Sequence, residues 1–333
     1  MQSNQTCAEC KKEFQTRASL HKHIKQHSLD LASYYTKYFP RYNKLSGDPL
    51  PFKRFDEYFE RDFSTKQQLT KWCAQTDKEE VKNYIIKLLK NRQSKKQRSY
   101  APFHLETKNS FLPSIDIYKD IFGSYNAACQ AIDCEPLYNK NLPKDFFATK
   151  IPDDFVIAID TREQKPLTFK QCPTEILKLD IGDYTALGNY YKYTFVDRKS
   201  GTDLQTTLGK NNIDRFKREV ARAQEMDSYL FVVIESTVEK LIKENKHFNR
   251  KTNIDYILRQ LKDVAHEYPR SCQFVFTGDR KNSSALIPLL LYHGPDIWQT
   301  DMQYFIDQKI WVGKQDINKE MPKGAEATKS FRN

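Results

Sequence analysis

Between Val156 and Lys199 three short apolar segments each run into an acidic side chain, and this constrains the fold more than any other stretch. Val156, Ile157, Ala158 and Ile159 form an apolar, mostly β-branched run bounded by Pro152 and a polar turn. That is the pattern of a buried strand, with Asp160 and Glu163 at or just past its end. Leu177, Leu179 and Ile181 alternate with polar neighbours as in a half-buried strand, and Gly182 permits the bend that presents Asp183. Tyr193 to Val196 make a third strand that delivers Asp197, Arg198 and Lys199. The three strand ends are expected to gather Asp160, Asp183 and Asp197 with Lys199 beside them.

Carboxylates crowded in this way take up protons unless a cation sits among them. Oxygen ligands without Cys or His for company suit Mg²⁺ or Mn²⁺. Such an ion clamps a phosphate oxygen and acidifies a water, while a Lys ammonium orients that water or offsets developing charge. The chemistry implied is hydrolysis of a phosphodiester.

Gly182-Asp183-Tyr184 followed by Val196-Asp197-Arg198-Lys199-Ser200-Gly201-Thr202-Asp203 resembles the GD and ERKxxxD signature of the XPF-type structure-specific endonuclease domain, and Ile159-Asp160-Thr161-Arg162-Glu163 resembles the V-D-x-R-E strand ahead of it. The resemblance covers about residues 155–292. It implies a restriction-endonuclease-like α/β core, a catalytic Mg²⁺ or Mn²⁺, and DNA rather than RNA as substrate, cut near branches, flaps or other irregularities of the duplex. The family's metal-binding and catalytic positions fall on Asp160, Glu163, Asp183, Asp197, Arg198, Lys199 and Asp203. In this reading Asp183 and Asp197 bind the ion, helped by Asp160 or Glu163. Lys199 positions the attacking water, Arg198 holds the phosphate or the site, and Asp203 orients Lys199 or caps the next helix. The family's Glu before Arg-Lys is Asp197 here, one methylene shorter. The resemblance also leaves room for a homodimer or a partner subunit.

Lys and Arg outnumber Asp and Glu by 54 to 43, which implies an acidic partner, nucleic acid before membrane. No apolar run of membrane-spanning length and no charged-then-apolar leader is visible, so an intracellular protein is expected, cytoplasmic in a prokaryote or virus and nuclear in a eukaryote. Seven Cys, an odd number, suit a reducing interior where close cysteines bind metal.

One close pair exists. Cys7-x2-Cys10, Phe14, Leu20 and His23-x3-His27 resemble the two-Cys two-His zinc finger with every spacing met. Two thiolates from a hairpin knuckle face two imidazoles one helical turn apart, and Phe14 and Leu20 supply a core too small to hold without metal. Docked in the usual way, its helix would turn Thr16, Ala18, Ser19 and Lys22 toward DNA. These lack the Arg–guanine pair that carries discrimination, so backbone positioning or a protein contact is expected. His21 is expected to be exposed.

Residues 31–63 read as an aromatic, basic linker with a helix near Phe55 to Phe63. Residues 65–90 read as one helix capped by Ser64 or Thr65, running into Lys87, Lys90, Arg92, Lys95, Lys96 and Arg98, an exposed basic patch for phosphates. Within 112–139, Ser114 caps one helix, Gly123 turns the chain and Tyr125 to Ile132 makes a second. This unit faintly resembles the short helical repeat that accompanies homing and phage-type nucleases. Asn141 to Pro152 reads as a linker. Beyond the acidic strands come a charged helix at 214–225 with Arg215 placed to flank DNA, a strand at 229–235, helices at 237–245 and 253–267, a strand at 273–276 and a helix at 283–292. Tandem helix-hairpin-helix motifs, common in relatives, are not seen, so DNA grip is expected from the N-terminal half or a partner.

The expected organisation is therefore a finger at 1–30, a linker at 31–63, a helical DNA-binding region at 64–140, a nuclease domain at 150–312 and a disordered tail at 313–333. Two other readings use the same residues: a non-catalytic zinc-finger DNA-binding protein or scaffold with a degenerate nuclease domain, and a sequence-directed homing-type nuclease.

Overall fold

The computed structural model describes residues 5–108, 110–247 and 253–308. The tail expected over 313–333 lies outside the described residues. Contacts divide the chain into two units, Met1–Ala101 with Thr107–Glu135, and Pro102–Glu106 with Pro136 onward. None of the described helices is long and apolar enough to cross a membrane.

The first unit opens with the antiparallel pair β1 (Gln5–Thr6) and β2 (Glu13–Phe14), then α1 (Arg17–Ile24), which tightens into a 3-10 turn at Lys25–His27. Thr16 caps α1 by accepting from Ser19 N. Two further helices, α2 (Leu31–Tyr38) and α3 (Phe55–Glu60), come from the stretch read as a linker. Tyr34, Tyr35, Leu50 and Tyr58 join Cys7, Leu20 and Ile24 in one buried cluster, so this segment supplies the core that the hairpin and helix lack alone. The helix expected over 65–90 is two, α4 (Lys66–Gln75) and α5 (Lys78–Lys96), each with its own cap. Thr65 forms a capping box with Gln68, and Asp77 accepts from the Glu79 and Glu80 amides. After α6 (His104–Lys108), α7 (Ile115–Phe122) and α8 (Tyr125–Gln130) meet at Gly123, whose φ of +81° ends α7. Ser124 caps α8, whereas the Ser114 side chain makes no cap hydrogen bond.

The second unit is a six-stranded sheet of order β4-β3-β5-β6-β7-β8, built from β3 (Ile157–Asp160), β4 (Thr174–Leu177), β5 (Tyr184–Ala186), β6 (Thr194–Lys199), β7 (Tyr229–Ile234) and β8 (Cys272–Phe276). The β3/β4, β6/β7 and β7/β8 pairs are parallel, and β5 is antiparallel to both neighbours. Parallel strands need covered faces, and β7 is buried along its whole length. Around the sheet lie α9 (Gly201–Thr207), α10 (Ile213–Glu225), α11 (Val238–His247), α12 (Ile254–Glu267), α13 (Arg280–His293) and α14 (Met302–Asp307). Val196, Phe231 and Val233 join Leu286, Ile287 and Leu290 of α13 in one core, while the Phe216 ring of α10 meets that of Phe274. Phe146, from the presumed linker 141–152, is fully buried in the core with α13.

One strand differs from expectation. Residues 177–181 are not a strand that ends at Asp183. β4 stops at Leu177, and the chain then crosses past the end of β3 and starts β5 at Tyr184, directly after Asp183. Burial explains the misreading: Leu179 and Ile181 are buried in the crossing, whereas Ile176 on edge strand β4 is 73% exposed.

Candidate active site

Side chains alternate across a strand, so Val196 toward α13 places Asp197 and Lys199 on the α10 face and Arg198 on the other. The Lys199 Nζ donates to Asp197 Oδ1 at 2.9 Å. It also stands 2.7 Å from Oδ2, an ion-pair approach without hydrogen-bond geometry, so Oδ2 is buried without a donor. Asp183 is drawn in from the neighbouring crossing: its amide donates to Val196 O at 2.7 Å, and its Oδ2 accepts from Arg198 N at 2.7 Å. Gly182 makes that approach possible, with φ +63° and Val196 O only 2.8 Å from where a Cβ would stand.

The electrostatics follow from this crowding. Burial, and then the Asp197 charge, push Asp183 up to about 8. Burial alone would lower Lys199, but Asp197 and Asp183 together carry it above its ordinary value, so it stays charged. A third carboxylate enters from α10: Glu219 accepts from Gly182 N at 3.3 Å and is raised by burial and by Asp197. Sequence reading passed over Glu219 because its helix is full of charges. The signal was its place beside the buried stripe Phe216, Val220, Ala223.

The other expected acids are engaged elsewhere. Asp160 accepts four hydrogen bonds: Oδ1 from Arg162 N and Nε at 2.7 and 2.6 Å, Oδ2 from Arg162 Nη2 and Leu179 N at 3.0 and 2.7 Å. Burial would raise it, but these donors hold it below the usual carboxylate range. Its work in the fold is to clamp the crossing loop. Glu163 pairs with Arg198 through Nη2 at 3.0 Å, and Arg198 Nη1 reaches Glu235 at 3.1 Å. Burial disfavours the Arg198 charge, yet Glu163 and Glu235 raise its pKa further. Arg280 closes this face, 3.4 Å from Glu235 and donating to the carbonyls of Lys165 and Pro166. Asp203 forms the capping box of α9 with Ser200. Arg215 on α10 is exposed.

The donor set on the α10 face is oxygen only, with one buried oxygen lacking a donor and one carboxyl shifted toward its protonated form; its chemistry suits a hard divalent cation, although its oxygens are not drawn together as the Cys/His ligand atoms are. Asp183 and Asp197 with Glu219 would hold it.

At the other end of the chain Cys7, Cys10, His23 and His27 bring their ligand atoms within 4.8 Å of one another, the one such group of three or more found among the described residues. Burial would raise the Cys7 thiol, but the Cys10 and Glu9 amides hold it lower. His23 Nδ1 lies 2.9 Å from Gln26 Oε1, which orients its other nitrogen toward the cluster. The expected DNA face is open: Thr16, Ala18, Ser19 and Lys22 are exposed, although the Thr16 hydroxyl is engaged as the cap. His21 is not free as expected. It lies 2.9 Å from Tyr35 Oη, and Arg17 stacks on Phe55. In the basic run Arg92 is buried and donates to Tyr100 O, and Lys95 pairs with Glu60 at 2.9 Å. Lys96 is exposed and Arg98 partly so.

Residues 155–303 match a protein-family model described as the ERCC4 domain. Comparison with curated proteins finds no match. Among solved structures the chain is similar to XPF from Aeropyrum pernix, at 16% identity and TM-score 0.32 over 47% of this chain and 69% of that one. It is also similar to XPF from Aeropyrum pernix in complex with DNA, at 17% identity and TM-score 0.31 over 42% and 64%. The domain family read from the GD and DRK motifs is the one the match returns.

Proposed function

We propose, on the premise of an ERCC4 domain over residues 155–303, that this chain is a metal-dependent DNA endonuclease that hydrolyses phosphodiester bonds in branched, flap or otherwise structured DNA. The observation that carries the reading is the contrast between two faces of β6. On one, Glu163 and Glu235 are ion-paired with Arg198; on the other, Asp183, Asp197 and Glu219 crowd around Lys199, which pairs directly with Asp197, while Arg162, bound to Asp160, adds a smaller pull on Glu219.

A divalent ion such as Mg²⁺ or Mn²⁺, if bound on that second face, would supply positive charge, polarise the phosphate and acidify a water. Asp183 and Asp197 would bind it, and Glu219, which feels the Asp197 charge, would share in holding it. Lys199, kept protonated beside Asp197, donates to the attacking oxygen or to the phosphate and offsets charge that develops there. Arg198 acts as a positioning residue. Its side chain is tied to Glu163 and Glu235, and its backbone N–H holds Asp183. Asp160 and Glu163 shape the site rather than coordinate in it. Zinc on Cys7, Cys10, His23 and His27 would hold the finger, whose exposed Thr16, Ser19 and Lys22, together with Lys95, Lys96, Arg98 and Arg215, supply the DNA contacts.

One observation favours a second reading, a DNA-binding protein with an inert domain: the acidic oxygens do not converge as the Cys/His atoms do. The two readings part on cleavage of labelled duplex, flap, splayed-arm and bubble DNAs with Mg²⁺ or Mn²⁺, comparing the native chain with Asp183→Ala and Lys199→Ala. The nuclease reading expects a subset to be cut by the native chain and bound but uncut by both variants. Binding without any cutting would leave the inert reading standing.

A further inference from the structure

Within the first unit, α3 and the chain after it, α5 and residues 110–112 enclose a cleft of about 650 Å³. Seven basic and four acidic side chains line it, so its occupant is anionic. Two of the bases, Lys44 and Lys87, are exposed, and neither is paired with an acid among the described residues. Lys44 instead sits 4.8 Å from the centre of the Tyr84 ring. Another cation–aromatic pair lines the same cleft, with the Arg61 guanidinium 3.8 Å from the centre of the Phe111 ring. Phe59, also in the wall, is 38% exposed, unusual for a phenylalanine with so many ring neighbours.

Fixed cations alternating with flat, half-open rings suit one polymer in particular. Phosphates meet Lys44 and Lys87, while bases stack on Phe59, Phe111 or the plane of Arg61. A duplex would reach the lysines with its phosphates but would offer nothing to the rings, because its bases are paired and stacked on one another. We infer that this cleft binds a single-stranded segment of nucleic acid, at a site separate from the acidic face of β6. The inference deepens the reading of the chain as a nuclease for structured DNA, since flaps, splayed arms and bubbles all present unpaired strands. Binding itself needs no divalent ion, which allows the two ideas to fail separately.

The test is fluorescence anisotropy of the full zinc-supplemented chain in magnesium-free buffer, with a labelled oligo(dT) and a duplex of equal length. The expected result for Lys44→Glu combined with Lys87→Glu is an oligo(dT) affinity at least about tenfold weaker, with duplex affinity changed less than about threefold. Its log–log salt slope for oligo(dT) falls by about 1.4, the value for two lost phosphate contacts on a single strand. Phe111→Leu, which keeps the apolar volume and removes the plane, weakens oligo(dT) by about fivefold or more at an unchanged salt slope. Equal loss on both probes would mean a general basic face, and no loss on oligo(dT) would mean an unused cleft; either overturns the inference. Circular dichroism melts of each variant separate lost binding from lost folding. Cleavage of flap DNA by the native chain, measured apart with Mg²⁺, reports on the nuclease reading alone.

Discussion

The two candidate metal centres of this chain are built in opposite ways. Cys7, Cys10, His23 and His27 lie within 21 residues of sequence on a hairpin and the helix after it, and their ligand atoms stand within 4.8 Å of one another. Asp183, Asp197 and Glu219 come from a crossing loop, a strand end and a helix, and what they share is mutual repulsion around Lys199. A local site depends on its metal for folding; a site assembled by a sheet depends on the sheet and uses its metal for chemistry. That difference can be broken in order of size.

The largest effect is expected at the finger. Cys7→Ser, or a chelator strong enough to strip zinc, should remove on the order of ten kcal/mol from the local fold. It should also loosen the Tyr34 and Tyr35 cluster that shares its core with Cys7. Near-ultraviolet circular dichroism would show this, and a spectrum unchanged by chelation would mean the aromatic cluster holds the finger without metal.

At the sheet site the same chelation should stop cutting without unfolding. Asp183→Asn and Lys199→Ala should each lower single-turnover cleavage by at least about 10²-fold, the scale for removing a charge matched to the transition state. Asp160→Asn should act mainly on stability, because its carboxylate holds Arg162 and Leu179. A variant at Asp160 that folds as well as native but cannot cut would return that residue to the metal.

Next in size is a pH dependence. Asp183 has a folded pKa of about 8 against an ordinary 3.8, so between those values the folded chain keeps a proton that the unfolded chain has lost. The unfolded state binds fewer protons there, and metal-free stability falls as pH rises from 3.8 to about 8, by on the order of a few kcal/mol. Thermal melts in chelator should show this slope for the native chain and a flatter one for Asp183→Asn, and added Mg²⁺ should flatten the native curve.

Gly182→Ala should cost about 1–3 kcal/mol, since the new Cβ meets Val196 O at a positive φ. Cutting should fall further than stability because Asp183 is displaced. The smallest effect is Asp203→Ala, which removes the return half of the α9 capping box while the Ser200 cap stays, at a cost of about 1 kcal/mol or less. A loss of cutting out of proportion to the small drop in melting temperature would make Asp203 more than a cap.

Much of this was legible in advance. Short apolar runs announced β3 and β6, the continuous apolar run announced β7, and the GD and DRK texts drew attention to Asp183, Asp197 and Lys199, which the fold brings together. One element was misread, and other contacts were not legible. Leu179 and Ile181 look like strand residues because they are buried, yet a loop crossing a sheet buries side chains too. The motif marked Asp160 and Glu163 as site acids, and what it did not show is that Arg162 and Arg198 lie on them. Glu219 was hidden among the charges of α10 until that helix was seen against β6.

Sequence by itself determined the features that depend on spacing along the chain: the Cys/His cluster, the capping boxes at Thr65 and Ser200, and the alternation that separates Asp197 and Lys199 from Arg198. Each of these closes within at most 21 residues of sequence, so residue type and interval suffice. Only the tertiary structure decided which acids carry a matching cation and which do not. That choice rests on distances between segments tens of residues apart, and Coulomb energies in a half-buried site change steeply with separations that no sequence interval encodes.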